Sequence, residues 1–366
     1  MLKRFYADNF RCLVNFEFTP AEVSLLVGRN GSGKTTLLDG IRTVRDFLLG
    51  GDLGRFRFSR TLWESRTKQH FELEVVDDAG STYTYVLEID QSETSRPRLG
   101  KEELLFGSSP IFRMVDGRVQ LFNDDHTKRG DPFEYSTQTS ALASFVARGS
   151  HLERFRTCVL GIMFFSIEPR FMEWKSTEEA KGLAQNGSNL PSWLRTISQE
   201  DPRAFTRLTE SLSGVLTGFD QLRFRDLGDG NGKLLEVLLA GGKHGSFTTN
   251  LPNLSDGERC LIALYAVIHA HVGRTLIFDE PDNFVALDEI RPWLYQLRES
   301  ADDRKVQIVV ASHHPDIIDY LAADDAFMLS RPTGDVARIS RLEVDRETGD
   351  TASESLREHL LLGPQP

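Results

Sequence analysis

Two rhythms of apolar and polar residues run along the chain. Alternation with period two marks Phe71-Glu72-Leu73-Glu74-Val75-Val76 and Thr82-Tyr83-Thr84-Tyr85-Val86-Leu87-Glu88-Ile89, which flank Asp77-Asp78-Ala79-Gly80. That arrangement predicts a β-hairpin. Residues 110–115 and 118–122 flank Asp116-Gly117, a dipeptide that tolerates the positive φ angles of a tight turn, and predict a second hairpin. Shorter strands are expected over residues 2–18, on either side of Asn9-Phe10-Arg11, and near 219–225 and 233–239, around the glycine-rich 228–232. Apolar runs at 23–27, 162–167, 274–278 and 305–311 predict buried strands.

Helical spacing fills the intervals. Leu37, Leu38, Ile41 and Val44 predict a helix over 34–49, closed by Gly50-Gly51. Leu142, Phe145, Val146, Leu152, Phe155 and Val159 predict another over 140–160. Asn186-Gly187-Ser188-Asn189 precedes a helix carrying Leu190, Trp193, Leu194 and Ile197. Asp201 is an N-cap candidate for the next, with Pro202 at its first position. A further helix opens at Ser255 and carries Leu261, Leu264, Tyr265, Val267 and Ile268. Residues 123–139 are polar and predict a loop. The mixture predicts an α/β fold in three stretches: 1–168 with hairpin elaboration, a helical and β stretch over 169–254, and 255–366. Nothing repeats at a fixed period, and no long heptads occur.

Candidate chemistry gathers at the ends of the apolar strands. Gly28-Arg29-Asn30-Gly31-Ser32-Gly33-Lys34-Thr35, followed by Thr36, lies between a strand and a helix. This is the context in which G-x-x-x-x-G-K-[ST] binds a triphosphate. The N–H groups of Asn30, Gly31, Ser32 and Gly33 can turn inward on phosphate oxygens, and the helix start adds its positive dipole end. Lys34 can reach the β- and γ-phosphates, and the Thr35 hydroxyl can face Mg²⁺. Arg274-Thr275-Leu276-Ile277-Phe278-Asp279-Glu280-Pro281 ends a strand on two carboxylates, where parallel α/β sheets bind ligands. Asp279 can hold Mg²⁺ through water, and Glu280 can deprotonate an attacking water. Ser312-His313-His314-Pro315 ends another strand. His313 can hydrogen-bond a γ-phosphate or that water, while His314 reads as structural. Ser255 with Glu258 reads as a capping box when taken alone.

Charge and composition narrow the partners. The 366 residues carry a net charge of −11, which excludes a surface basic all round. A local basic stretch, Arg55, Arg57, Arg60, Arg66 and Lys68, is opposed only by Asp52 and Glu64. It reads either as a solvated loop or as a DNA-binding patch. No apolar run approaches a membrane span, and the first residues lack an apolar signal core, so a cytoplasmic location is expected. Cys12, Cys158 and Cys260 fit neither a disulfide framework nor a metal motif, and are expected to be buried free thiols.

The ordered motifs Gly28–Thr35, Leu254–Glu258, Thr275–Pro281 and Ser312–Asp316, with Asn9-Phe10-Arg11 ahead of them, resemble the ABC-type ATPase head. More narrowly they resemble its soluble, non-transporter branch, which includes RecF, SMC-type repair ATPases and OLD-like ATPases. The resemblance implies a phosphate-loop core sheet, an antiparallel β lobe and a small helical lobe. It implies ATP and Mg²⁺ as cofactors and hydrolysis of ATP to ADP and phosphate. It further implies a head-to-tail homodimer that sandwiches two ATP molecules, with Ser255 and Gly257 of one head touching the γ-phosphate held by the other. Arg11 is then expected near the phosphates, and Asp288 as the aspartate of the loop after the catalytic acids. A glutamine lever for Mg²⁺ is expected too; Gln138, Gln185 and Glu168 all stay open. From Lys34 to Ser255 the gap is 221 positions, more than transporter heads use, and it lacks the heptads of an SMC arm. No Toprim-like acidic motif follows His313. The resemblance therefore implies a compact head acting through a separately encoded effector (a nuclease or toxin of bacterial defence) or, RecF-like, on DNA. A transporter's ATP-binding subunit is the disfavoured alternative.

Overall fold

The computed structural model describes residues 1–366 apart from 93–95, 146–149, 229–231, 242–244, 271–272, 323–324, 333, 343–350 and 355–366. Val146 and the centre of the glycine-rich turn at 229–231 lie outside the described residues. The chain opens with β1 (Leu2–Asp8), β2 (Phe16–Phe18), β3 (Val23–Val27) and α1 (Lys34–Gly50). Then come β4 (Lys68–Val76), β5 (Thr82–Asp90), β6 (Arg98–Phe106), β7 (Ser109–Val115), β8 (Arg118–Phe122) and β9 (Lys128–Glu134). α2 (His151–Leu160) leads into β10 (Ile162–Phe165). A middle stretch holds β11 (Lys175–Ser176), α3 (Leu190–Glu200), α4 (Pro202–Ser213), β12 (Phe219–Asp226), β13 (Lys233–Ala240) and β14 (Ser246–Asn250). After it come α5 (Asp256–His269), β15 (Thr275–Asp279), α6 (Leu287–Arg304), β16 (Gln307–Ala311), α7 (Pro315–Leu321), β17 (Asp325–Ser330) and β18 (Arg338–Arg341).

The central sheet runs β10-β15-β16-β3-β17-β18, parallel except for its last pair. Its inner strands β15, β16 and β3 are mainly apolar and buried because both faces are covered, whereas the edge strand β18 is polar and exposed. Successive residues of one strand enter different cores. Leu25, Phe278, Ile308 and Val310 pack with the helices α3 to α7, while Leu26, Ile277 and Val309 pack with α1 and the second sheet. That second sheet is wholly antiparallel, in the order β2-β1-β4-β5-β6-β7-β8-β9. A third, small sheet is built on β13, which pairs with β11, β12 and β14. The central sheet thus takes β3 and β10 from before residue 168 and its other strands from beyond residue 255. This is the predicted α/β fold, with the antiparallel lobe and the small helical lobe in place.

Two buried side chains, Gln307 and Thr275, join the first two sheets, and the Thr275 hydroxyl accepts from the Leu2 N–H at 3.2 Å. The Gln307 amide donates to the carbonyls of Leu2 (2.8 Å) and Ala21 (3.0 Å), and its oxygen accepts from the Leu2 N–H (2.9 Å). The two predicted hairpins are present as β4–β5 and β7–β8.

Two expectations need correction. The helix expected over 140–160 begins only at His151, capped by the Ser150 hydroxyl. Upstream, Ser140 and Ala141 are drawn into a turn because their hydroxyl and N–H bind the buried Glu102 carboxylate, a local competitor of helix formation. The loop expected over 123–139 contains β9, a strand exposed at every position, so it carries no alternation to read. All three cysteines are free and buried, as expected.

Candidate functional site

The register of the central sheet brings the motif-bearing loops to one edge. Asp279 lies opposite Ala311, and Ala311 opposite Leu26, so β15, β16 and β3 all end together. The phosphate loop leaves β3 there. Gly33 caps α1 with φ of 111°, a conformation that strains any residue with a Cβ, and a Cβ there would sit 3.1 Å from that of Ala337. Lys34 is buried and curls back to donate to the Gly28 carbonyl at 2.7 Å. Burial lowers the Lys34 pKa, and the nearby Glu280 and Asp279 oppose that shift. The Ser32 hydroxyl is buried without a hydrogen-bond partner.

Asp279 and Glu280 behave differently although adjacent. Burial, reinforced by repulsion from Glu280, pushes the Asp279 carboxyl up to about 6, and a hydrogen bond with Thr35 restrains the rise. Its Oδ1 is buried without a partner. Glu280 turns out of the strand with φ of 49°, unusual for a side chain of its size. Its N–H donates to the Ala311 carbonyl at 2.8 Å. The carboxylate is then held from both sides. Asn283 Nδ2 donates to Oε2 at 3.0 Å, and His313 Nδ1 stands 3.3 Å from Oε1. Behind it, the Ser312 hydroxyl donates to Asp282 Oδ1 at 2.8 Å, pinning the two strand-end loops together. His314 accepts from the Asp316 N–H and caps α7.

Arg11 is held by the helix that follows the phosphate loop. Its φ is 50°, and its guanidinium donates to Asp39 at 2.8 Å, one helical turn beyond Thr35. Asp39 also pairs with Arg42 at 2.9 Å, and Arg42 in turn donates to the Gln185 side chain. Gln185 lines the same small cavity as Asp279 and Asp39. Of the three candidates for the glutamine lever, Gln185 is the one placed by this cavity beside Asp279. Gln138 donates to the Pro97 carbonyl in the antiparallel lobe, and Glu168 precedes the short 3-10 turn at Pro169–Phe171.

Ser255 and Gly257 lie at the start of α5. The Ser255 hydroxyl takes part in a full capping box with Glu258. A Cβ on Gly257 would stand 2.7 Å from the Phe284 carbonyl oxygen, so glycine is needed there for packing within the chain. Asp288 lies in the first turn of α6.

Comparison with known proteins places this geometry in a family. The description "AAA domain, putative AbiEii toxin, Type IV TA system" matches residues 23–157 and 113–319, a span that includes the phosphate loop and the strands ending at Asp279 and Ala311. The chain belongs to this AAA family. A curated relative, the OLD nuclease of Thermus scotoductus, is 23% identical over 386 aligned positions, covering 99% of this chain and 68% of the relative. An SMC head solved with the C-winged helix domain of ScpA matches 95% of this chain and 99% of its own, at a TM-score of 0.57 and 14% identity. A second Smc head domain, with an extended coiled coil and bound to the C-terminal domain of ScpA derived from Pyrococcus furiosus, matches 97% and 99% at a TM-score of 0.50 and 12% identity. At those identities the structures speak for the fold, which is that of the SMC-type head. The chain is thus a member of the AAA family with the fold of an SMC-type head.

The AAA fold also places residues at the site that motif reading missed. Asn283 anchors Glu280, and Asp282 anchors Ser312. Arg331, just after β17, reaches the Gly31 carbonyl at 3.4 Å and leans on the carbonyls of Gly334 and Asp335. Asn283 could have been suspected from its place three residues after Glu280. Arg331 lies 300 positions from Gly31, and no local pattern announces it.

Proposed function

We propose that the chain is an ATP-driven switch in which nucleotide occupancy sets the geometry of a head-to-tail dimer, and the dimer gates a separate effector or DNA engagement. The observation that carries this reading is the clamp on Glu280. A carboxylate fixed between Asn283 and His313, beside the half-buried Asp279 with its buried, unpartnered Oδ1 and the phosphate loop, is suited to take a proton from water attacking a γ-phosphate. The donors fit Mg²⁺: the Thr35 hydroxyl and the orphaned Asp279 Oδ1 are hard oxygens at the helix start. Bound there, the ion would neutralise charge on the β- and γ-phosphates.

The chain's own residues divide the remaining work. The N–H groups of Asn30, Gly31, Ser32 and Gly33 cradle the phosphates, Lys34 exchanges the Gly28 carbonyl for a phosphate oxygen, and Thr36 extends the cradle. Glu280 accepts the proton, and His313 orients the water. Arg11 reaches the phosphates when freed from Asp39. Ser255 and Gly257 act on the neighbouring protomer's nucleotide, because the first-turn N–H groups of α5 that the capping box does not use can meet an anion. In this scheme 1–168 and 255–366 together form the nucleotide site, and 169–254 is the lobe between them. The OLD nuclease relative supports an output on nucleic acid, and the AbiEii-type family description supports a toxin context.

Glu280→Gln tests the scheme. Hydrolysis should fall by about 10²- to 10⁴-fold while ATP stays bound, and light scattering with ATP and Mg²⁺ should show a dimer. A variant that hydrolyses normally, or that remains monomeric with ATP at high protein concentration, would overturn it.

A further inference from the structure

The loop between α1 and β4 was read from the sequence as basic, and the structure adds two observations. First, the loop is firmly anchored. Phe58 is buried against Phe47 and Phe71, and the Thr61 N–H donates to the buried Asn9 side chain. The same Asn9 amide donates to the carbonyls of Arg66 (2.8 Å) and Lys68 (2.9 Å). Second, between these anchors the loop presents large apolar side chains to solvent. Leu62 is 95% exposed and Trp63 46% exposed. Exposing them on a pinned loop forgoes about 25 cal/mol for every Å² of apolar surface that burial would remove from water.

The charges around Trp63 are not equivalent. Arg66 is neutralised by Asp8 and Glu64. Arg55 and Arg57 are exposed, and among the described residues neither makes an ion pair. Among the described residues Arg60 donates to the Arg66 carbonyl and makes no ion pair. A chain of net charge −11 thus keeps uncompensated guanidinium groups within a few residues of an exposed indole and leucine. Guanidinium groups answer phosphates, and an exposed aromatic ring answers an unstacked base.

We propose that residues 55–63 form a contact site for single-stranded nucleic acid, with Trp63 stacking on a base and Arg55, Arg57 and Arg60 facing the backbone. A single strand or a frayed end is favoured over intact duplex because stacking on Trp63 needs a base free of its neighbours. The site is wired to the phosphate loop. The Arg11 N–H donates to the Ser59 carbonyl at 3.0 Å, and the Arg11 guanidinium holds Asp39 on α1. A strand seated on the loop pulls on the same turn that positions Arg11, so it regulates ATP hydrolysis; this coupling rests on the proposed ATPase switch, whereas the binding site does not.

Fluorescence anisotropy with a labelled oligothymidylate, compared with a blunt duplex, tests the site. Trp63→Ala should weaken oligothymidylate binding by about 5- to 100-fold, as expected for one lost base stack. Arg55→Ala with Arg57→Ala should lower the slope of log affinity against log salt by about 1.4, at roughly 0.7 per phosphate contact. Both variants alter exposed side chains, and an unchanged melting temperature verifies their fold. Basal ATP hydrolysis, measured without oligonucleotide in the same preparations, should match wild type, while stimulation or inhibition by the oligonucleotide should disappear in Trp63→Ala. No binding at low salt, equal binding by Trp63→Ala, or capture of a protein through Trp63 without oligonucleotide binding overturns the site. Loss of basal hydrolysis in wild type would instead count against the ATPase switch and leave the binding result standing.

Discussion

Two acidic side chains, Glu102 in the antiparallel sheet and the half-buried Asp279 in the central sheet, are held in opposite ways. Glu102 on β6 is fully buried, and burial pushes its carboxyl up. Yet it accepts from the Tyr85 hydroxyl (2.9 Å), the Ser140 hydroxyl (2.5 Å) and the Ala141 N–H (2.9 Å). Asp279 on β15 is pushed up by the same desolvation, but Thr35 is the one hydrogen-bonding restraint on it, and its Oδ1 has no partner. A saturated buried acid is a staple: here it ties β6 to the turn at Ser140. An unsaturated one at the mouth of a phosphate loop is a place kept for something absent from the chain. Leaving a buried polar atom unpaired costs on the order of 1–3 kcal/mol. The antiparallel lobe avoids that cost at Glu102, while the parallel sheet bears it at Asp279.

The contrast can be broken by substitution. Glu102→Ala strands three donors and should destabilise the fold by about 3–5 kcal/mol, read by urea denaturation, with hydrolysis per folded molecule nearly intact. Asp279→Asn should do the reverse. Mg²⁺-dependent turnover should fall by about 10- to 100-fold, with a melting temperature equal to or above that of wild type. If Asp279→Asn melted as early as Glu102→Ala, the two acids would be doing the same job and the contrast would fail. Gly257→Ala should cost about 1–3 kcal/mol of stability through overpacking against the Phe284 carbonyl, visible in thermal unfolding. Asn283→Ala should give the smallest effect, a fall in hydrolysis of about 2- to 10-fold for one lost hydrogen bond to Glu280. Unchanged kinetics there would show that His313 alone suffices to hold the base.

The same contrast explains what could be read from sequence. Chemistry carried by contiguous residues was legible: the loop at 28–35, the acids closing β15 and the histidines closing β16 all lie in runs whose flanking strands announce their context. The β4–β5 and β7–β8 hairpins were legible because one face of each is buried, which enforces alternation. β9 was hidden because neither face is buried. The late start of α2 was hidden because its cause, Glu102, lies 38 residues before Ser140. α6 carries Pro292 in its interior, which masks a helix otherwise 18 residues long. Arg331 reaches the site through the parallel sheet, and Gln185 stayed one of three open candidates because its side-chain relay through Arg42 leaves no local trace.

Gly257 approaches the Phe284 backbone so closely that the start of α5 and the segment after Glu280 are packed in direct contact. In the proposed dimer these two parts of a single protomer serve different nucleotides: Glu280 its own, Ser255 its neighbour's. Any shift that follows cleavage at one nucleotide is then carried mechanically to the other. The pair would work like a seesaw, with the two ATP molecules consumed in alternation and each turnover setting the tension on the opposite side.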